Sequence, residues 1–543
     1  MKIYLFLILI TLVIYLHNIR ENYNNYNNFN NFNIIEEDYI IIGAGPAGLQ
    51  TAYFLNKYKK KYIILEKTNN VGSFFKKYPI HRKLISINKV HTDNTNKDFN
   101  LRHDWNSLLS DNDELLFTNY SKEYFPPADT YVKYLNDFYV ENNINVAFNT
   151  EVMTIDKKNN IFYVYTNNKT YKTRKLIIAT GLFKQNKVNI PGVINYSDLT
   201  LDKSNFENKN VLILGQGNSA FEVADYLIDT SAIIHIGAKG PLKFAWQTHY
   251  PGDLRAVNNN FLDTYQLKSQ NGIYPFDSEN KKIVLKKDKY YIYNKIKNSY
   301  ELDNQIPSNG YDYVINCTGF SFNNSIFGNI QPKHNGKVPI VNTKFESINI
   351  PNLFMAGTLM QFMGYKKSSS AFVHGFRYLI RTMIRLETNN LEKSIINTKK
   401  DLFNKIIYRI NNSSGIFQMF NTLVDVVIFE NNKMIYLEEV LYKYALENFK
   451  NMLIIKFNYG DFGGVIKYTR NLGEASYVFG LDRATGITAE RAHLSNFLHP
   501  ILKLYKNGKL QKTHHIAEHF TTTFNLEKEH IKPLKHFLNI TCQ

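Results

Sequence analysis

The residues with the clearest chemical meaning are glycines. Gly43-Ala44-Gly45-Pro46-Ala47-Gly48 follows the apolar run Tyr39 to Ile42 and precedes a segment of helical periodicity, Leu49 to Tyr58. Gly43 permits a tight turn, Gly45 lets backbone approach a pyrophosphate, and Gly48 lets the helix pack on the strand, with Ala47 inside the same turn. The helix N-terminus then meets the phosphates with unpaired N–H groups. Glu66 ends the next apolar run, Tyr62 to Leu65, where a carboxylate holds ribose hydroxyls, and Lys67 stands beside it. We read this unit as an FAD site. A second turn, Gly215-Gln216-Gly217-Asn218-Ser219-Ala220, has Ala220 in place of the third glycine, and Lys239 and Lys243 lie beyond its second strand. A cation there favours a 2′-phosphate, so NADPH is expected over NADH, with Lys239 the better candidate.

These turns need strands and helices to hold them. Each lies in a β-α-β pattern: Tyr39 to Leu65 in the first, Asn210 to Ile236 in the second. Three further strand-like runs end in glycine, at Gly181, Gly319 and Gly357. Ligands of open α/β sheets lie beyond the carboxyl ends of strands, so these glycines are placed to let backbone approach a cofactor. The expected fold is α/β, with two Rossmann-type dinucleotide-binding domains. An FAD domain is built from 38–202 and 332–390, and an NADP domain, 203–331, is inserted between its halves. Residues 391–543 form a helix-rich C-terminal extension, with helical patches at Ile416 to Phe429 and Ile435 to Leu446 and a Gly-rich turn at Asp461 to Gly464.

Composition narrows the chemistry. The net charge is +18, but the lysines are spread along the chain and no nucleic-acid-binding motif accompanies them, so no nucleic-acid partner is expected. The sequence holds 2 cysteines, Cys317 and Cys542. That excludes a disulfide framework, a multi-cysteine zinc site and a redox-active Cys-x-x-Cys pair. His514, His515 and His519 have no carboxylate or cysteine at diagnostic spacing and read as surface residues, so no metal is expected. Behind Lys2, the apolar run Ile3 to Leu16 makes 1–17 a signal peptide or signal anchor, since about fourteen apolar residues suit a signal core better than a full span. An Asn/Tyr-rich linker, 18–37, follows.

The pair of motifs, with Gly215-Gln216-Gly217-Asn218-Ser219-Ala220 as the second, resembles the flavin-containing monooxygenase superfamily. Gly72-Ser73-Phe74-Phe75, His81 to Lys89, Leu101 to Ser110, Asn218 to Glu222, Thr248-His249-Tyr250, Leu262 to Ser269, Phe372 to Tyr378, Ser414 to Phe420 and Ser495 to Pro500 are similar to endoplasmic-reticulum flavoproteins associated with degradation. The resemblance covers about Asp38 to Leu502. It implies hydride transfer from NADPH to FAD, then electron delivery to oxygen or another acceptor, on a small-molecule or protein-thiol substrate. It also implies residence in the secretory pathway, in or facing the lumen of the endoplasmic reticulum, with degradation-machinery proteins as partners. By the same resemblance Asn88 is the catalytic candidate, a hydrogen-bonding group near the flavin edge. The sequence departs from the family in two places. The histidine of the family's Phe-x-Gly-x-x-x-His fingerprint is Tyr196 here, within Ile190 to Tyr196, which leaves the acceptor open. Ile540-Thr541-Cys542-Gln543 replaces a Lys-Asp-Glu-Leu type retention signal.

Other readings stand beside the monooxygenase-like enzyme: an electron-transfer reductase acting on a partner's disulfide without cysteines of its own, and a flavin-stabilised binding module. His249 and Arg255 are candidates for nicotinamide phosphates, and His374 and Arg377 lie near a presumed flavin-domain helix.

Overall fold

The computed structural model describes residues 34–200, 202–301, 306–460 and 486–541. The expected N-terminal anchor, the linker up to Asn33 and the turn at 461–464 lie outside these residues.

Two parallel sheets carry the glycine turns. The first has the strand order Leu353–Met355, Lys175–Ile178, Tyr39–Ile42, Tyr62–Leu65, Val146–Ala147. Tyr39–Ile42 lies at its centre, buried at every position. A parallel strand covered on both faces reads as a continuous apolar run, which is why Tyr39 to Ile42 shows no alternation. The helix Pro46–Lys57 follows, with Pro46 in its first turn, where a missing N–H leaves nothing unpaired. The second sheet has the order Ile194–Asn195, Tyr313–Asn316, Asn210–Leu214, Ile233–Ala238, Ile273–Pro275, and the helix Asn218–Leu227 continues from its glycine turn.

The chain passes between the two units through Lys184–Gln185 and Phe320–Ser321, which pair antiparallel. The inserted unit therefore begins before 203, since Ile194–Asn195 belongs to its sheet. It ends before 331, since Phe322 and Phe327 are buried in the first core. Strands of two residues are too short to show a period, and this hid both crossings. Ile34–Glu36, placed in the linker by composition, pairs in parallel with Thr170–Thr173 and forms the edge of a four-stranded sheet. Ile35 packs against the main core from this edge, while Ile34 is exposed.

The C-terminal region contains helices at Lys399–Asn412 and Lys532–Thr541. The two patches expected to be helical are mostly strands. Leu423–Glu430 and Lys433–Leu441 form a hairpin inside a six-stranded sheet of order Lys393–Ile396, Lys433–Leu441, Leu423–Glu430, Met452–Asn458, His499–Lys506, Lys509–His515. One face of this sheet, with Leu423, Val427 and Tyr436, joins the main core. The opposite face, with Val424, Val426 and Ile428, forms a separate core with Ala445 of the short helix Tyr442–Asn448.

Candidate functional site

In the first turn Gly43 has φ +102°, and a Cβ on Gly48 would lie 2.0 Å from the Gly43 carbonyl oxygen. Turn and helix meet there with no room for a side chain. Gly45 differs, because no atom lies within 4 Å of its Cβ position. The Glu66 carboxylate, 5% exposed, accepts the Ala44 N–H at 2.8 Å, the Thr68 N–H at 3.0 Å and the Thr68 hydroxyl at 2.7 Å. It ties the end of its own strand to the glycine turn. Lys67 is exposed, its ammonium 5.4 Å from the centre of the Phe183 ring. Gly357 abuts the turn so closely that its Cβ would lie 2.4 Å from that of Ala47.

The second turn repeats this plan. A Cβ on Gly215 would lie 2.4 Å from the Cys317 carbonyl oxygen, whereas Gly217 and Gly319 face open space. Ala220 is fully buried and serves packing. Asn218 holds a loop: its Oδ1 accepts the Arg255 N–H at 2.9 Å and Asn258 Nδ2 at 3.0 Å, and its Nδ2 donates to the Asp253 carbonyl at 2.9 Å. The exposed Lys239 is tied to this turn by its N–H, which donates to Gln216 Oε1 at 2.7 Å.

A cavity of about 460 Å³ joins the two cradles. It is lined by Gly45, Pro46 and Ala47 from the first turn, by Thr180 and Gly181 from a neighbouring strand end, and by Asn218 and Ser219 from the second turn. Its remaining wall is largely aromatic, with Phe74, Phe75, Tyr78, Tyr196, Phe320, Phe372 and Phe376. Glu222 is the one carboxylate among the lining residues. Its Oε2 accepts the Tyr196 hydroxyl at 2.9 Å, and its Oε1 accepts the His81 N–H at 3.2 Å and lies 3.1 Å from His81 Nδ1. Burial, and then the Glu222 charge, push the Tyr196 phenol above its ordinary range, so it stays a donor. His81 and Glu222 carry no signal in the glycine pattern. Glu222 was legible only as the residue four after Asn218, on the same face of one helix.

Asn88 lies off this cavity. It is 1% exposed, its Nδ2 donates to the Ser121 and Glu123 carbonyls at 2.7 and 3.3 Å, and Ile85 and Ser86 of its segment form the wall instead. Through Nδ2 Asn88 holds its loop, while its buried Oδ1 has no hydrogen-bond partner among the described residues. Two candidates for nicotinamide phosphates are engaged elsewhere: His249 Nδ1 lies 2.6 Å from the Tyr459 hydroxyl, and the Arg255 guanidinium lies 5.0 Å over the Trp105 ring. His374 is buried and stacked on Trp105 at 4.1 Å. Arg377 is fully buried and donates to the Ser107 and Leu101 carbonyls at 2.6 and 2.7 Å. His514 and His515 are half-buried on the last strand rather than exposed, and His515 Nδ1 lies 2.9 Å from Nε2 of the buried His499.

The shape of both turns fits a dinucleotide. Gly48 and Gly215 close the packing behind them, while Gly45 and Gly217 leave the front open where a pyrophosphate meets a helix N-terminus. The family model for pyridine nucleotide-disulphide oxidoreductases matches residues 40–357, a span that includes both turns and the cavity. The chain belongs to this family. As a pyridine nucleotide-disulphide oxidoreductase it is a flavoprotein enzyme that uses FAD and a pyridine nucleotide. The chain is 36% identical to the mouse protein named FAD-dependent oxidoreductase domain-containing protein 2, over 92% of this chain and 83% of that protein. The zebrafish protein of the same name is 35% identical over 93% and 83%. Among solved structures, a flavin-containing monooxygenase from Stenotrophomonas maltophilia superposes with a TM-score of 0.51 at 16% identity, covering 65% of this chain and 99% of that one. That likeness is one of fold.

Proposed function

We propose that this chain oxidises NADPH through FAD and delivers the electrons to oxygen or to another acceptor, on a small-molecule or protein-thiol substrate. The observation that carries this reading is the shared cavity, in which Gly45 to Ala47 of one cradle and Asn218 and Ser219 of the other line the same space. When bound, FAD accepts a hydride from NADPH and passes two electrons onward. The protein's part is binding, orientation and exclusion of water. Gly45 and Gly217 admit the two pyrophosphates, Glu66 stands at the ribose position of the first site, and Lys239 supplies a cation beside the second. The aromatic wall keeps water from the meeting point of the two ligands.

Cys317, buried against Gly215, and Cys542 are the 2 cysteines of the whole sequence. A disulfide acceptor would therefore bring both sulfurs from the substrate. Tyr196, in place of the fingerprint histidine, favours electron delivery without oxygen insertion as the second reading. Residence in the secretory pathway rests on the apolar run Ile3 to Leu16; no helix among the described residues is long and apolar enough to cross a membrane. Degradation-machinery partners accord with this residence and belong to the same proposal.

The test is spectroscopic. Purified protein should show an oxidised-flavin band that bleaches with NADPH under anaerobic conditions, and a colourless protein that cannot be reconstituted with FAD overturns the proposal. Isotopically labelled dioxygen then separates the two readings, since label enters the substrate only if oxygen is inserted.

A further inference from the structure

Each NADPH that reduces a two-electron acceptor consumes one proton from water. With a disulfide, NADPH and H⁺ give NADP⁺ and two thiols; with dioxygen they give NADP⁺ and hydrogen peroxide; with oxygenation the second oxygen atom leaves as water. The cavity where this must happen is walled mainly by hydrocarbon and aromatic rings, and its ionisable lining residues are Tyr78, Tyr196 and Glu222. Burial holds the Tyr196 phenol protonated. Tyr78 is likewise raised by burial, and then by the charge of Asp198.

We propose that Glu222 is the proton relay of this cavity, receiving a proton from His81 at Oε1 and passing it to the acceptor. In the cycle the His81 imidazolium gives up its Nδ1 proton, the Glu222 carboxylate becomes a carboxyl group, and the acceptor's oxygen or sulfur takes that proton. Water then restores the imidazolium, so the net transfer is one water-derived proton per NADPH. The geometry supports each link. His81 Nδ1 lies 3.1 Å from Glu222 Oε1, and the two side chains are 17% and 13% exposed, so the pair spans from the cavity wall to water. Tyr196 is a positioning residue, because its hydroxyl fixes Oε2 at 2.9 Å, while the His81 backbone N–H at 3.2 Å holds Oε1 beside Nδ1.

The surroundings suit a relay rather than a static ion pair. The Tyr226 ring stacks on His81 at 4.4 Å, and the Lys203 ammonium lies 5.1 Å over that ring. Asp225, raised by burial to about 6, also acts on His81. The Cys317 thiol faces Glu222 and is pushed up by burial, so it stays neutral. The Tyr78 ring stacks on Tyr196 at 5.6 Å. His81 comes from the first unit and Glu222 from the helix of the second, so the relay is assembled by their docking.

The inference rests on the preceding reading of the cavity as the redox site, and its test separates the two. Glu222→Gln preserves the size of the side chain and an acceptor for the Tyr196 hydroxyl, so a mere tether between the units survives it. FAD content and NADP⁺ affinity should stay within about twofold, while turnover falls about 10²-fold or more, the range of a lost general acid. The fall should be largest at high pH, where protons are scarce, and Glu222→Asp should restore part of the rate. His81→Asn should lose turnover to a similar degree and recover it with added imidazole. An unchanged rate and pH profile in a normally loaded Glu222→Gln protein overturns the relay. A wild-type chain that cannot bind FAD overturns the redox reading and the relay with it, whereas a loaded and fully active Glu222→Gln protein overturns the relay alone.

Discussion

Gly45 and Gly48 belong to one turn yet predict opposite kinds of failure. Gly45 has φ −77° and no atom within 4 Å of the position a methyl would take, so Gly45→Ala should fold normally. The new methyl would stand where backbone must approach the pyrophosphate. FAD affinity should fall at least about tenfold, roughly 1.4 kcal/mol, with the melting temperature of the flavin-free protein unchanged. Gly48→Ala puts a carbon 2.0 Å from the Gly43 oxygen and forces the helix off its strand. Overpacking of this kind costs about 1–3 kcal/mol, so this variant should lose both FAD and stability. The flavin-to-protein absorbance ratio and calorimetry on the two variants check the contrast. Lys239 supports a third residue-scale prediction. Lys239→Glu should lower the NADPH-to-NADH ratio of kcat/KM by about tenfold or more without changing FAD content, because a carboxylate there repels the 2′-phosphate and accepts a 2′-hydroxyl.

The two β-α-β units were the legible elements, because a glycine turn between a buried strand and a helix leaves a local mark at Gly43 to Gly48 and again at Gly215 to Ala220. The six-stranded sheet left a weaker mark. Val424, Val426 and Ile428 fill one core and Leu423 and Val427 another, so the strand is apolar on both faces and its period is erased. The available signal was the turn. Asn431 and Asn432, with φ +49° and +58°, form the two-residue hairpin loop, and Asn159-Asn160 at +49° and +63° do the same earlier in the chain. In a sequence rich in asparagine these residues read as composition rather than as turns. The chemical pairing at the cavity wall was hidden for a different reason: Tyr196 was marked by the fingerprint position, but His81 reaches Glu222 only when the two units dock. Arg377 shows how buried contacts between distant segments are held. From the helix Val373–Glu387 it bonds the Ser107 and Leu101 carbonyls, fully shielded from solvent. Arg377→Leu should leave both carbonyls unpaired at about 1–3 kcal/mol each, read as a lower denaturant midpoint and faster hydrogen exchange across 101–107.

At the scale of the molecule, the C-terminal sheet is fastened to the flavin unit by buried charge. Arg409, on the helix Lys399–Asn412, binds Asp425 through Nε at 2.6 Å and a terminal nitrogen at 3.1 Å, with Glu438 at 2.9 Å, Glu439 at 3.4 Å and Asp98 of the flavin unit at 3.9 Å. Arg381, on the flavin-unit helix, bonds Glu439 as well. Burial alone would raise Glu439, but the Arg381 and Arg409 guanidinia outweigh it and hold the carboxyl at about 2. A carboxyl lowered in this way stabilises the folded chain above its ordinary value of about 4.5, and that contribution is lost as pH falls toward 2. Asp425 has the opposite sign, because burial raises it despite Arg409. Arg409→Leu should therefore cost about 3–5 kcal/mol at neutral pH, the range for a buried pair that has lost one partner. The deficit should shrink as pH is lowered from neutral toward acid, because burial already raises Asp425 and the loss of Arg409 raises it further, so the folded chain takes up that proton first. Arg409→Leu with Asp425→Leu should regain much of the loss at neutral pH, since no unpaired charge is left at that position. Denaturation midpoints of the three proteins across this pH range decide it, and a deficit that does not depend on pH would mean that Arg409 acts through packing alone.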